Sequence, residues 1–386
     1  MSGYSAIALS APTAIDLVLT QQCNHRCLHC YNPWRVEEVS DKADCNMTSF
    51  QRIEFIVEQL AKHNIWSVTI TGGEPLADPA LLYHAITCLK EKHIAYGLNS
   101  NLTLMSDKIA SDLVTLGFSP IILTSLPSIT PTICDKITQA HGSYERIMRG
   151  VAVCHSHGIG VEINMVVTKM NLPDLKNLAA FVKTNSISYV SLSAAIPPLY
   201  DLENPNYHLD DADLTAIAET LVHINEMTGV EINSVIPFPI CVLGNFDRYQ
   251  SVLATKCSAG ITKCAIDVST GDITACTHED SPYGNIYDDD ILVAWGKMGC
   301  WRNGENISDQ CSTCGYLAIC GGECRMMKHR SCVAYTLDPK KEITISPPQF
   351  PQVRREDRFT LAKGIVLRRK HRSGNGCACN SVHAGL

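Results

Sequence analysis

The sequence lacks long hydrophobic runs and has no strong excess of positive charge. No stretch approaches the roughly 18 apolar residues of a membrane-spanning helix, so we expect no membrane segment. The N-terminus has no basic region followed by a long apolar run, so we expect no secretory signal and a cytoplasmic protein. The formal net charge of −7 gives no electrostatic reason to expect nucleic acid as a partner.

Cysteine, in contrast, is abundant, with 19 among 386 residues, most of them in the second half of the chain. A disulfide-rich secreted protein would explain such a number, but the size of the chain and the missing signal argue against that class. Metal binding in the cytosol fits better. The length suffices for two domains, or for one large domain with an appendage.

Residues 14–195 alternate between short apolar runs and amphipathic helical patterns. The apolar runs predict strands at 15–20, 67–71, 94–98, 120–124, 161–168 and 189–193. The first helical pattern starts at a predicted capping box of Thr48 and Gln51, and the others cover 78–91, 106–116, 143–157 and 173–184. Six strand–helix units predict an α/β fold, a partial (β/α)6 TIM-like barrel with functional loops at the carboxyl ends of its strands.

Cys23, Cys27 and Cys30 follow the first predicted strand in the run Cys-Asn-His-Arg-Cys-Leu-His-Cys. At the overall cysteine frequency, this spacing should occur by accident about 0.04 times in such a chain. Three thiolates can hold three corners of a cubane iron–sulfur cluster and leave the fourth iron open to a small molecule. The alternative is a zinc knuckle, for which His25 or His29 could supply the fourth ligand.

This loop resembles the signature of the radical S-adenosylmethionine (SAM) superfamily. The run Gly72-Gly73-Glu74-Pro75 after the second strand matches the family's segment that meets the methionyl amine of SAM. Two departures are His29, where the family usually has an aromatic residue, and Thr138, where many relatives carry an arginine.

The resemblance implies a set of further SAM contacts and a mechanism. The residues at family contact positions, besides His29, are Ser100, Asn101, Ser125, Asn164 and Thr168, for which capping or turn roles are the alternative. The family mechanism implies that an electron donor such as flavodoxin or ferredoxin reduces the cluster. SAM is then cleaved to a 5′-deoxyadenosyl radical that removes a hydrogen atom from the substrate, while the protein buries and aims the radical.

A second cysteine group begins at Cys257, where the chain becomes glycine-punctuated and loses its periodicity. Two, five and three residues separate Cys311, Cys314, Cys320 and Cys324, and Gly271 lies between Cys257 and Cys276. We expect this segment to be held by metal more than by an apolar core. The alternative to iron–sulfur clusters here is a pair of structural zinc sites.

This order of cysteines resembles the SPASM domain, the C-terminal extension of radical SAM enzymes that modify peptides and proteins. The resemblance implies two auxiliary [4Fe–4S] clusters, and so three clusters in all. The implied ligands are Cys257, Cys264, Cys276 and Cys324 for the first auxiliary cluster, and Cys311, Cys314, Cys320 and Cys332 for the second. Cys377 or Cys379 could replace Cys332, or the second cluster could be open.

These assignments predict four regions. They are a radical SAM partial barrel at 1–195, a bridging region at 196–256, a SPASM domain at 257–335 and a basic tail at 336–386. Among the remaining cysteines, Cys88 and Cys154 fall in helical patterns and are predicted to be buried apolar residues. The histidines show no paired spacing and are predicted to be ordinary.

The predicted function is a peptide maturase that forms a carbon–carbon, ether or thioether crosslink in a ribosomally made precursor. We expect no N-terminal leader-binding domain, so a separate leader-binding protein or the basic tail would bind the leader. One alternative is an anaerobic sulfatase maturase that forms formylglycine. A glutamate–tyrosine crosslinking enzyme of coenzyme biosynthesis, or a zinc or iron–sulfur scaffold without SAM chemistry, are the others.

Overall fold

The computed structural model describes residues 8–32, 47–198, 200–243, 246–253, 256–312, 314 and 317–326. Its first two hundred residues alternate strands and helices, so the predicted α/β class is confirmed. The strands are β1 (Ala14–Thr20), β2 (Ser67–Gly72), β3 (Ala95–Ser100), β4 (Ile122–Ser125), β5 (Val161–Val167) and β6 (Tyr189–Ala194). The helices are α1 (Ser49–Lys62), α2 (Pro79–Glu91), α3 (Asp107–Thr115), α4 (Pro131–Thr138), α5 (Ser143–Ser156) and α6 (Leu175–Thr184).

The chain continues with one long helix and a series of shorter elements, and its four further described strands lengthen the sheet at both edges. They are α7 (Asp211–Thr228), β7 (Glu231–Asn233), β8 (Lys263–Asp267), β9 (Asp272–Thr274), β10 (Gly284–Asn285), α8 (Ile291–Lys297), α9 (Gly299–Asn303), α10 (Asp309–Ser312) and α11 (Leu317–Cys320). Within the described residues the strand order is β10-β9-β8-β1-β2-β3-β4-β5-β6-β7. β7 pairs parallel with β6 and β8 pairs parallel with β1, so the sheet crosses the boundaries predicted at residues 196 and 257.

Several helices begin where a side chain accepts a hydrogen bond from one of their first amide groups. Thr48 and Gln51 form the predicted capping box at the start of α1. The Asp78 carboxylate accepts a hydrogen bond from the Leu81 amide at 3.0 Å and caps α2. Each helix then packs an apolar face on the sheet, as Ile53 and Leu60 of α1 do.

The cysteine-rich segment contributes to the same apolar core as β1. Ile266 in β8, Ile273 in β9, Trp295 in α8 and Trp301 in α9 are buried together with Ile15. An apolar core therefore helps to hold this segment, for which we expected metal to matter more than such a core. The strands and helices here are only two to seven residues long, so their buried positions produce no readable period.

None of the described helices combines the length and apolar character that crossing a membrane requires. The described cysteines form no disulfide bonds, and Cys88, Cys134 and Cys154 are buried in the core, as predicted for two of them. The predicted ligand Cys332, its alternatives Cys377 and Cys379, and the basic tail lie outside the described residues.

Candidate active site

The cysteine loop begins where β1 ends, and α4 supports its backbone. The Arg26 amide donates to the Thr138 carbonyl at 3.1 Å, and the Leu28 amide donates to the Ile137 carbonyl at 2.8 Å. Carbonyls in the last turn of a helix have no partner within the helix, so they are available to such a loop. Helix α4 is only eight residues long and was not predicted from periodicity.

Buried polar side chains secure the same loop from within. His25 is buried, with its Nε2 3.2 Å from Ser143 Oγ. Burial lowers the pKa of His25 to about 4, and nearby Arg146 acts in the same direction, so the ring is neutral at pH 7. Thr138 is buried too, and its hydroxyl donates to the Cys134 carbonyl at 3.0 Å. The Thr138 side chain therefore serves its own helix and does not replace the missing arginine.

Two tyrosines hold the outer part of the loop, and sequence reasoning missed both. The Tyr200 hydroxyl donates to the Cys30 carbonyl at 2.7 Å, and the Tyr207 hydroxyl donates to the Leu28 carbonyl at 2.6 Å. They lie in the proline-broken stretch after β6, where no spacing pattern marks them.

The three thiols of the loop form a donor set suited to a metal cluster. Desolvation of the thiol, together with the charges of Glu74 and Cys30, raises the pKa of Cys23 to about 11, although the residue as a whole is exposed. A thiolate in such surroundings needs a bound cation to be stable, which iron supplies. A cubane cluster gives each cysteine its own iron, whereas a mononuclear zinc site needs its ligands to converge on one ion.

The Gly72-Gly73 backbone lies directly against the cysteine loop. The Gly73 amide donates to the Thr20 carbonyl and the Glu74 amide to the Gln22 carbonyl, both at 2.7 Å. A Cβ at Gly73 would collide with the Gln22 carbonyl, and Gly72 has a φ of +139°. Only glycine permits this close approach of two backbones.

Glu74 is a buried carboxylate that ties β2 to β3. It accepts hydrogen bonds from the Leu76 amide at 2.9 Å, from Ser100 Oγ at 2.7 Å and from the Asn101 amide at 2.7 Å. Burial raises the pKa of Glu74, and these three donors oppose the rise. Ser100 is thus engaged by Glu74, and its contact with SAM stays a prediction.

Asn101 joins the end of β3 to the cysteine loop. Its side-chain amide donates to Asn24 Oδ1 at 2.9 Å, and Asn24 in turn donates to Thr103 Oγ1 at 2.7 Å. The structure therefore gathers Cys23, Glu74 and Asn101 at one end of the sheet. His29 lies half-buried in the same loop.

Of the remaining residues predicted to contact SAM, Ser125 and Asn164 lie on neighbouring strands, whereas Thr168 lies in a buried turn. Ser125 is exposed at the end of β4 and stands in register with Asn164 of β5. Asn164 Oδ1 accepts hydrogen bonds from Ser191 at 3.2 Å and Ser193 at 3.1 Å, which fixes its amide. Thr168, in contrast, is buried in a turn in which Asn171 Oδ1 accepts its amide at 2.7 Å.

The described auxiliary cysteines form two groups. Burial and the thiolates of Cys257 and Cys276 raise the pKa of Cys324 well above its usual value. Burial, together with Glu323, Cys320 and Cys314, raises the pKa of Cys311. Cys264 joins neither group.

A stacked pair of rings connects the cysteine loop to the first of these groups. Tyr31 follows Cys30, and its ring centroid lies 4.1 Å from that of His278. His278 Nδ1 is 3.6 Å from Cys276 Sγ. His278 therefore differs from the ordinary histidine that the sequence predicted.

Comparison with protein families decides the identity of this site. The Radical SAM superfamily model matches residues 17–182, which span the cysteine loop and β1 through α6. Residues 17–182 therefore form a radical SAM domain, and the protein is an enzyme. Membership implies SAM and an iron–sulfur cluster as cofactors, in agreement with the donor set of the loop.

Relatives of this radical SAM enzyme are similar over most of its length. Mycofactocin maturase MftC of Mycobacterium tuberculosis is 24% identical over 338 residues, covering 83% of this chain and 80% of MftC. An AdoMet-dependent heme synthase of Methanosarcina barkeri is 20% identical, covering 82% of this chain and 92% of its own.

Solved structures share the fold of this radical SAM enzyme. Streptococcus suis SuiB bound to precursor peptide SuiA matches with a TM-score of 0.64 and 20% identity, covering 86% of this chain and 76% of SuiB. Native anSMEcpe with bound AdoMet matches with a TM-score of 0.65 and 16% identity, covering 85% of this chain and 93% of anSMEcpe. The partial-barrel architecture is therefore confirmed.

Proposed function

We propose that this radical SAM enzyme is a peptide maturase that crosslinks side chains of a ribosomally made precursor. The observation that carries the proposal is the extent of the similarity to mycofactocin maturase MftC. It covers 83% of the chain, so it continues well past residue 182 into the region of the auxiliary cysteines. The fold shared with SuiB, whose solved complex contains its precursor peptide, supports a peptide substrate.

The chain's own residues position the reaction. When bound, the cluster and SAM supply a 5′-deoxyadenosyl radical. Cys23, Cys27 and Cys30 would hold that cluster on a loop that α4, Tyr200 and Tyr207 keep rigid. The Gly72-Gly73 backbone, fixed by Glu74, would meet the methionyl group, with Asn101, Ser125 and Asn164 nearby in the sheet. Rigid support of this kind aims a reactive species and limits side reactions.

A crosslink removes two hydrogens from the peptide, and both need acceptors. The first leaves as a hydrogen atom to the 5′-deoxyadenosyl radical. The second would leave as a proton, taken up by a base or by solvent, and as an electron, for which we assign the two auxiliary [4Fe–4S] clusters as the acceptor. The contact of Tyr31 with His278 supports a short connection between the cysteine loop and the first auxiliary set. A flavodoxin or ferredoxin would supply the reducing electron, and a separate protein would bind the leader.

Anaerobic coexpression with the short reading frame nearest the gene tests this function. A crosslink lowers the peptide mass by two hydrogens, and the Cys23→Ala/Cys27→Ala/Cys30→Ala variant leaves the mass unchanged. An unmodified peptide beside an active SAM-cleaving enzyme would count against crosslinking.

Haem synthesis is a second candidate, because the similarity to the heme synthase covers 82% of this chain. Iron coproporphyrin III, added to the reduced enzyme with SAM, distinguishes the two. Its conversion to haem, with no change in the peptide, would replace the maturase proposal.

A further inference from the structure

Cys264, expected to be a ligand of the first auxiliary cluster, faces the apolar core. β8 pairs in parallel with β1, and the register places Cys264 opposite Ile15 and Ala265 opposite Asp16. Successive residues of a strand point to opposite faces of the sheet. Cys264 is 1% exposed and belongs to the core cluster that contains Ile15 and Leu17. It is thus on the opposite face of the sheet from Asp16.

The other three expected ligands come together from separate segments. A Cβ added at Gly321 would lie 3.1 Å from Lys256 Cγ, so the segment leading to Cys324 passes the residue before Cys257. Cys257, Cys276 and Cys324 are all half-buried and pack against the same apolar core cluster. Three cysteines from the start of this region, the end of β9 and the turn after α11 therefore share one site.

Lys263, and not Cys264, is the β8 side chain that faces this group. Its Nζ lies 2.7 Å from Asp16 Oδ2. The register of β8 with β9 places Thr274 opposite Ala265, on the same face as Lys263, and Cys276 follows two residues after Thr274. The ammonium is therefore paired with the carboxylate and lies on the face that leads to Cys276.

We propose that three cysteines, Cys257, Cys276 and Cys324, hold the first auxiliary cluster, and that the Lys263–Asp16 ion pair occupies the side of the site where a fourth thiolate was expected. The inference rests on the proposed presence of this cluster. It leaves one iron without a cysteine, open to a small electron-pair donor such as an anion or a thiolate.

Iron content of reconstituted protein tests the ligand set without relying on activity. The background is Cys23→Ala/Cys27→Ala/Cys30→Ala, which removes the cluster of the first loop. Cys264→Ala added to it should keep all remaining iron, and Cys276→Ala should lose about four irons per chain. Cys154→Ala is the matched control, because Cys154 is equally buried but lies in α5.

Loss of iron in Cys264→Ala, but not in Cys154→Ala, would overturn the inference and leave the proposed function standing. Retention of all iron in Cys276→Ala would overturn both the inference and the proposed cluster.

A second measurement uses protein in which Cys264 is intact. With Cys311→Ala and Cys314→Ala also added to the background, cyanide should shift the electron paramagnetic resonance spectrum of the reduced protein. An unshifted spectrum contradicts an open iron.

A different observation points to a ligand of the second auxiliary cluster. Cys241 lies in a single turn of 3-10 helix, Ile240–Val242. Cys320 Sγ is 4.0 Å from the carbonyl of Phe238, which precedes that turn. Cys320 and Ile240 belong to one apolar core cluster, and Cys241 packs against that cluster.

We infer that Cys241 is the fourth ligand of the cluster held by Cys311, Cys314 and Cys320. This too rests on the proposed cluster content. In the same background, Cys241→Ala should lose about as much iron as Cys314→Ala, while Cys332→Ala should keep it. Loss in Cys332→Ala with retention in Cys241→Ala would overturn the inference and restore the ligand set that the resemblance implied. Retention in Cys314→Ala would remove the cluster itself, and the inference with it.

Discussion

Replacement of Glu74 is the sharpest structural test of the SAM site. Its buried carboxylate accepts hydrogen bonds from the Ser100 hydroxyl and from the amides of Leu76 and Asn101. A hydrogen bond to a charged group contributes about 1.5–3 kcal/mol, and a buried donor left without a partner costs about 1–3 kcal/mol. Three such donors lose their acceptor in Glu74→Ala, but the local backbone can relax. We expect the free energy of unfolding to fall by about 3–6 kcal/mol.

Glu74→Gln separates the charge from the shape of this side chain. One amide oxygen remains to accept hydrogen bonds, but the new amino group cannot accept from the backbone, so about 1–3 kcal/mol should be lost. Anaerobic urea unfolding of reconstituted protein measures both changes, with exposed Glu91→Gln as the control. SAM cleavage at 20 °C or below, where Glu74→Gln remains folded, should still fall, because Gly73 and Asn101 lose their common support. An unfolding free energy within about 0.5 kcal/mol of wild type in Glu74→Ala would refute this reasoning.

Three further predictions concern groups around the clusters. The folded-state pKa of His25 is lowered to about 4, so its contribution to stability is present above about 6.5 and is lost as the pH falls to 4. His25→Gln should reduce the loss of unfolding free energy between pH 6.5 and pH 4 by up to about 3 kcal/mol, as measured by unfolding at each pH. An unchanged dependence of the unfolding free energy on pH would contradict the lowered pKa of His25. Tyr200→Phe should speed the removal of iron from the cysteine loop by a chelator, since the Cys30 carbonyl loses its donor. The rate is measured in a variant without auxiliary iron, so that only the iron of the loop is followed. An unchanged rate would contradict a role of Tyr200 in holding the loop. Lys263→Met removes a positive charge near the first auxiliary cluster and should make its reduction potential more negative in a redox titration. The control is Lys297→Met, at an exposed position of α8, which should leave that potential unchanged.

The barrel could be predicted because its strands and helices are long enough to show a period. All six predicted strands and the five predicted helices agree with the structure to within two residues at their ends. Helix α4 was missed because it has eight residues, and β7 to β10 because they have two to five. These short elements nevertheless support the cysteine loop and extend the sheet.

The site was predictable in its residue types more than in its partners. Cysteine spacing and the Gly-Gly-Glu-Pro run located the SAM site, since both are short and local in sequence. Spacing alone could not place Cys264, because the face of a strand depends on its register with β1. Ser100 was likewise predictable as a polar strand end, but its bond to Glu74 depends on how β2 and β3 meet.

Deuterium transfer tests the central claim most directly. The precursor peptide is prepared with deuterated side chains and incubated anaerobically with the reduced enzyme and SAM. The account predicts deuterium in 5′-deoxyadenosine, a peptide lighter by two hydrogen isotopes, and neither product with the Cys23→Ala/Cys27→Ala/Cys30→Ala variant. Unlabelled 5′-deoxyadenosine together with an unmodified peptide would contradict it.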